Sequence, residues 1–150
     1  MLFAAPISAQ DFEKGLEAAQ SGDFETALKK WAPLADAGDS SAQFNVALLY
    51  GNGWGVPQDY KEVVKWYILA TEQGDAAAQF NLGNMYNKGQ GVLADFIIAH
   101  MWSNIAAANG NEPGAENREL IAKNMTPEDI SQAQTMAKVC MNSNYEKCGY

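Results

Sequence analysis

The chain carries a single histidine, His100, and two cysteines, Cys140 and Cys148. Imidazole is the side chain most readily used as a general base near neutral pH. His100 stands where an earlier copy of the same sequence carries Val64, and no serine or cysteine nucleophile is in register with it. A helical histidine, partly buried or at a repeat junction, is therefore the expectation. The sequence holds no S-x-x-K, which removes the nucleophile motif of serine–lysine hydrolases. It also holds no H-E-x-x-H, P-loop or G-x-G-x-x-G. The glycine clusters Gly51–Gly55 and Gly89–Gly91 fall between helices and not after a strand, so a phosphate-cradling role is disfavoured. The pairs Glu112/Glu116 and Glu128/Asp129 fit helix N-termini, where negative charge meets the macrodipole. No catalytic residue, metal ligand or cofactor is assigned.

Cys140 and Cys148 enclose Met-Asn-Ser-Asn-Tyr-Glu-Lys, a stretch rich in turn formers. An even pair closing a short polar loop reads as a disulfide and points to an oxidising compartment. Two free thiols are the alternative. Two cysteines with a distant histidine do not make a structural zinc site. Residues 1–9 are apolar, small and uncharged, ending in Ser8-Ala9 before Gln10. They resemble the end of a secretory signal that lacks its basic start. A loose N-terminus is the other reading. The remnant reading agrees with the cysteines on a periplasmic or secreted protein.

The 150 residues are 47% hydrophobic and 19% charged, which suits one globular unit with a continuous core. The net charge is −8, and the ten Lys and Arg form no cluster. Binding to nucleic acid or to an anionic membrane surface is disfavoured. No apolar run approaches the roughly 20 residues needed to span a bilayer.

The elements that would position these residues follow from a head-to-tail repeat. Ala42–Ala77 laid over Ala78–Pro113 matches without a gap at Ala42/Ala78, Gln43/Gln79, Phe44/Phe80, Asn45/Asn81, Tyr50/Tyr86 and Gly53/Gly89. It matches again at Gly55/Gly91, Val56/Val92, Asp59/Asp95, Trp66/Trp102, Ala70/Ala106 and Gly74/Gly110. Such a period signals a solenoid, in which each unit buries its apolar face against its neighbours. Ala42, Val46, Leu49 and Tyr50 share one helical face. The glycines from Gly51 to Gly55 end that helix, Pro57 bars its continuation, and Asp59 caps the next. The second copy predicts helices over Ala76–Asn87 and from Asp95 to about Asn109. A worn copy precedes them, with Asp11–Gln20 as its first helix. Its second helix follows Asp23 and contains Pro33, expected to kink or break it. A worn copy also follows, from Gly110 to about Lys123 and from Thr126 to near Met141. The fold expected is all-α, of about four helix hairpins: 10–39, 40–75, 76–111 and a capping hairpin, 112–150.

The pattern Ala42…Val46-Ala47…Tyr50…Gly53-Trp54-Gly55-Val56, then Asp59-Tyr60…Val63…Trp66-Tyr67…Ala70…Gly74, resembles the Sel-one-like repeat (SLR) family, a relative of the tetratricopeptide repeat. The second copy, Ala78…Leu82-Gly83…Tyr86…Gly89-Gln90-Gly91-Val92 then Asp95-Phe96…Ala99…Trp102…Ala106-Ala107…Gly110, resembles it equally. Ala47, Val63 and Ser103 depart from the family's usual glycine, alanine and aromatic. The resemblance implies a right-handed α-superhelix whose concave face binds other proteins, as a non-enzymatic adaptor, often exported from bacteria. A cysteine-rich subset is linked to β-lactam binding or hydrolysis and ties each repeat with a C-x7-C pair. Only the last unit has one here, so that activity stands as an alternative, as does a self-associating structural subunit.

First helices line the concave face in such a superhelix. With Ala42, Val46 and Tyr50 inward, the binding stripe expected is Phe44, Asn45, Leu48, Phe80, Asn81 and Asn84. Ordinary packing between repeats is the competing role for these residues. Trp31, Trp66 and Trp102 are expected in the core. Trp54 has no counterpart, because the second copy has Gln90; it is either a rim contact or folds back onto the adjacent helix. The partner expected is a protein or peptide with a basic segment, bound by a monomer.

Overall fold

The computed structural model describes residues 7–149. These form eight helices: α1 Ile7–Gln20, α2 Phe24–Asp36, α3 Ser40–Asn52, α4 Tyr60–Thr71, α5 Ala76–Lys88, α6 Phe96–Ala108, α7 Glu112–Ala122 and α8 Pro127–Asn142. No strand occurs among the described residues. The chain divides into two compact units, one ending at Trp66 and the other starting at Tyr67. Helix α4 is continuous through that point.

Local chemistry sets the helix boundaries. Carboxylates accept an amide hydrogen three residues on: Asp23 from Thr26, Asp39 from Ala42, Asp75 from Ala78 and Asp95 from Ile98. Each replaces one of the helix's missing partners, typically for about 1 kcal/mol. Asn111 and Thr126 cap α7 and α8 in the same way. The ends of α3 and α5 are alike. Gly53 and Gly89 both sit at φ 66° and donate back to the carbonyls of Leu49 and Met85. Each loop is then closed by its capping aspartate, Asp59 N donating to Tyr50 O at 3.1 Å and Asp95 N to Tyr86 O at 2.9 Å.

In the first unit, α2 packs on both α1 and α3. Trp31 is buried, and its Nε1 donates to the carbonyl of Phe12 at 3.2 Å. A Cβ at Gly15 would overlap the Trp31 ring, so the close approach of α1 to α2 depends on glycine. In the second unit, α6 packs against α5, α7 and α8. Met101, Trp102, Ile105, Leu82 and Ile121 are completely buried there or nearly so. Cys140 at the end of α8 is bonded to Cys148, and both are buried.

Three expectations change in detail. Helix α1 begins at Ile7 and not at Asp11, because Ser8, Ala9 and Gln10 contain no breaker. The expected cut before Gln10 therefore falls inside α1, and residues 1–6 of the proposed signal remnant lie outside the described residues. Pro33 does not break α2. It sits in the last turn, where it removes only one helical amide bond, and Ala37 N still donates to its carbonyl at 3.1 Å. At the C-terminal end α7 and α8 both pack on α6, so α6, and not the other member of the expected 112–150 hairpin, is the main contact of each.

Candidate binding surfaces

On α3 the stripe residues Phe44, Asn45 and Leu48 are half-buried, while Ala42, Val46, Ala47 and Leu49 on the other side are core. On α5 the equivalents Phe80, Asn81 and Asn84 are also half-buried, and Ala78, Leu82, Gly83 and Met85 are core. The division follows the helical period. The first copy offers a phenylalanine, one amide and a leucine, and the second a phenylalanine and two amides.

The α5 amides already have partners inside the second unit. Asn81 Nδ2 donates to the Tyr67 hydroxyl at 3.2 Å. Burial pushes that hydroxyl up to about 12, and the bond from Asn81 opposes the shift. Asn84 Oδ1 accepts from Asn117 Nδ2 at 3.0 Å, and the same amide donates to Ser103 Oγ at 3.0 Å. Each of these bonds uses one end of the amide side chain. Beside them Arg118 Nη1 donates to Asn104 Oδ1 at 2.9 Å and pairs with Glu119 at 3.0 Å.

Two buried glutamines carry a bond that links successive helices. Gln43 Nε2 donates to Ala35 O at 3.1 Å, and Gln79 Nε2 to Thr71 O at 3.4 Å. Asn109 Nδ2 extends the second of these, donating to Gln79 Oε1 and to the Tyr145 hydroxyl, each at 2.9 Å. Tyr145 belongs to the loop closed by the disulfide and also packs on Gly74. The 36-residue repeat matches Gln43 with Gln79, but nothing in the sequence connected Asn109 with Tyr145.

His100 is only 2% exposed. Its pKa is lowered, first by burial and then by Arg118, with Glu119 acting against them. Its Nδ1 has no hydrogen-bond partner among the described residues. The ring is enclosed by the fold, and both cysteines are joined in the disulfide. Among the described residues no group of three or more His, Cys, Asp or Glu side chains is arranged to hold a metal ion.

Trp54 does not fold back onto either helix its loop connects; it lies on the start of α2, in the preceding pair of helices. Its ring stacks on Phe24 with centroids 4.9 Å apart and planes 14° apart, leaving it 45% exposed. Sequence reasoning missed the exposed apolar residues Leu69, Leu93, Phe96, Leu120 and Val139, of which Leu93 and Phe96 lie close together in the chain. Leu93 replaces Pro57 of the first copy, which was a visible signal.

The sequence matches the Sel1 repeat model over residues 40–75 and 76–111. No curated protein matches it. Among solved structures, a protective antigen present in uropathogenic Escherichia coli strains, displaying an SLR fold, aligns with a TM-score of 0.85 and 27% identity over 92% of this chain. This chain spans 31% of that antigen's length. A Sel1 repeat protein from Oxalobacter formigenes aligns with a TM-score of 0.69 and 29% identity, covering 75% of this chain and 88% of that one.

Proposed function

Because this chain carries two Sel1 repeats and has an all-α helical-repeat fold, we propose that it is a non-catalytic scaffold that binds a polypeptide in an oxidising bacterial compartment, the periplasm or the exterior. Sel1 repeats are in general protein-interaction modules. The observation that carries the reading is the pair of tandem repeats, each presenting a half-buried phenylalanine and an asparagine on its first helix. The binding residues are Phe44, Asn45 and Leu48 in the first unit and Phe80, Asn81 and Asn84 in the second. Aromatic rings supply desolvated area, and amide groups pair with the backbone of an extended ligand. The bonded cysteines support the compartment. A net charge of −8 favours a basic ligand segment, whose binding weakens as salt rises. No helix is long and apolar enough to cross a membrane among the described residues.

The test is capture from bacterial envelope extract, followed by titration of the purified partner against the parent and Phe80→Ala. Loss of about 1–3 kcal/mol of binding with an unchanged helical spectrum is expected. Unfolding of the variant would make Phe80 a core residue. Undiminished binding by a folded variant would move the site to another surface.

A further inference from the structure

In the first unit the glycine loop of one hairpin is seated on the hairpin before it. Besides the Trp54–Phe24 stack, a Cβ at Gly55 would lie 2.7 Å from the carbonyl carbon of Phe24 and 2.8 Å from the amide nitrogen of Glu25. Gly55 also has a φ of +71°. Glycine is needed there on both counts. The loop backbone therefore rests on the first turn of α2, and the indole covers the ring of the residue that opens that helix.

Phe24, Tyr60 and Phe96 are equivalent positions of the repeat. Phe96 opens α6 as Phe24 opens α2. By the same rule, the connection between α7 and α8 would cover Phe96. That connection is Lys123-Asn124-Met125-Thr126, with no glycine and no aromatic residue. It spans 123–126, whereas the glycine loops span 53–59 and 89–95. Phe96 is left 42% exposed, and Leu93, just before it in the chain, is 91% exposed.

We infer that the Leu93–Phe96 surface of the second unit docks an aromatic–glycine turn presented by another polypeptide. The chain itself shows what covers such a surface: a flat ring on the phenylalanine, and a glycine that lets the backbone approach the first helical turn. The first amide groups of a helix lack internal partners, so an approaching backbone carbonyl meets donors there. Trp54 is committed to Phe24 and does not serve here; the occupant proposed is a second polypeptide with the same turn chemistry. Leu93 and Phe96 lie outside the first-helix residues of the proposed polypeptide site, and either surface can fail alone.

The test uses the full-length, isotopically labelled protein and a cyclised Gly-Asn-Gly-Trp-Gly-Val peptide, the sequence of residues 51–56. Amide shifts centred on residues 93–97 are expected, and they vanish when the peptide's Trp is replaced by Ala. Leu93→Asp, changing a side chain that is almost wholly in water, weakens the peptide at least about tenfold with the helical spectrum intact. Phe96→Ala gives the same loss and serves as the second variant. Shifts centred on Phe24 and Glu25 would mean that the peptide merely competes with Trp54, and would overturn the proposal. So would equal binding by the Trp-free peptide, undiminished binding by Leu93→Asp, or no shifts at residues 93–97 at millimolar peptide.

Discussion

Residues 40–75 and 76–111 bury their shared side chains alike but present different rims. Gln43 and Gln79 make the same bond to a carbonyl eight residues earlier, Ala42 and Ala78 are both completely buried, and Trp66 and Trp102 are both core. At the edges Trp54 gives way to Gln90 and Pro57 to Leu93; in the interior the buried Val64 gives way to the buried His100. The shared residues are those that set how helices approach one another. The differing residues mostly lie in loops and on faces where packing does not dictate the side chain. A repeat protein can therefore vary its contacts without disturbing its stacking.

The largest expected effect tests the division itself. Trp102→Ala removes a fully buried indole and should cost about 3–5 kcal/mol of stability. Trp54→Ala removes one half-exposed stack and should cost at most about 1.5 kcal/mol. Denaturant unfolding of both variants decides it; equal losses would end the distinction between interior and rim.

Next comes the tie that only the second copy has to the disulfide-closed loop. Cys148→Ser should cost about 2–3 kcal/mol, because the loop it closes is short. Hydrogen exchange should quicken around Gln79, Asn109 and Tyr145, which share bonds, and stay unchanged around Gln43. Equal quickening in both copies would show that the loop does not act through Asn109.

The smallest effect concerns His100 against Val64. The folded pKa is lowered, so as pH falls the unfolded chain takes up the proton first. Stability is therefore full above about pH 6.5, declines below it, and levels off once the folded imidazole also protonates. His100→Val should remove this part of the pH dependence, which sets in below about pH 6.5. An unchanged slope would assign it to the carboxylates instead.

The aspartate caps, the glycine ends of α3 and α5 and the repeat itself were legible because each depends on residues close in the chain. The cysteine pair was legible for the same reason. Pro33 was misjudged because its cost depends on its place in the final helical form: near the end of α2 it sacrifices a single bond. The stripe was legible as a face, since helical period alone separates Phe44 and Phe80 from the core. The internal partners of Asn81 and Asn84 were not, because Tyr67 comes from α4 and Asn117 from α7, each on a different helix.

The sequence by itself determined an all-α chain, two tandem repeats, their capped boundaries and the pairing of its two cysteines, all matters of local conformation and short-range spacing. Tertiary structure alone decided that Trp54 lies on Phe24, that His100 is enclosed, that Tyr145 reaches Asn109, and that Phe96 stays open. Each of these depends on which distant segment comes to cover a given surface. Burial is a sum over neighbours brought together by folding, and a one-dimensional pattern does not carry that sum.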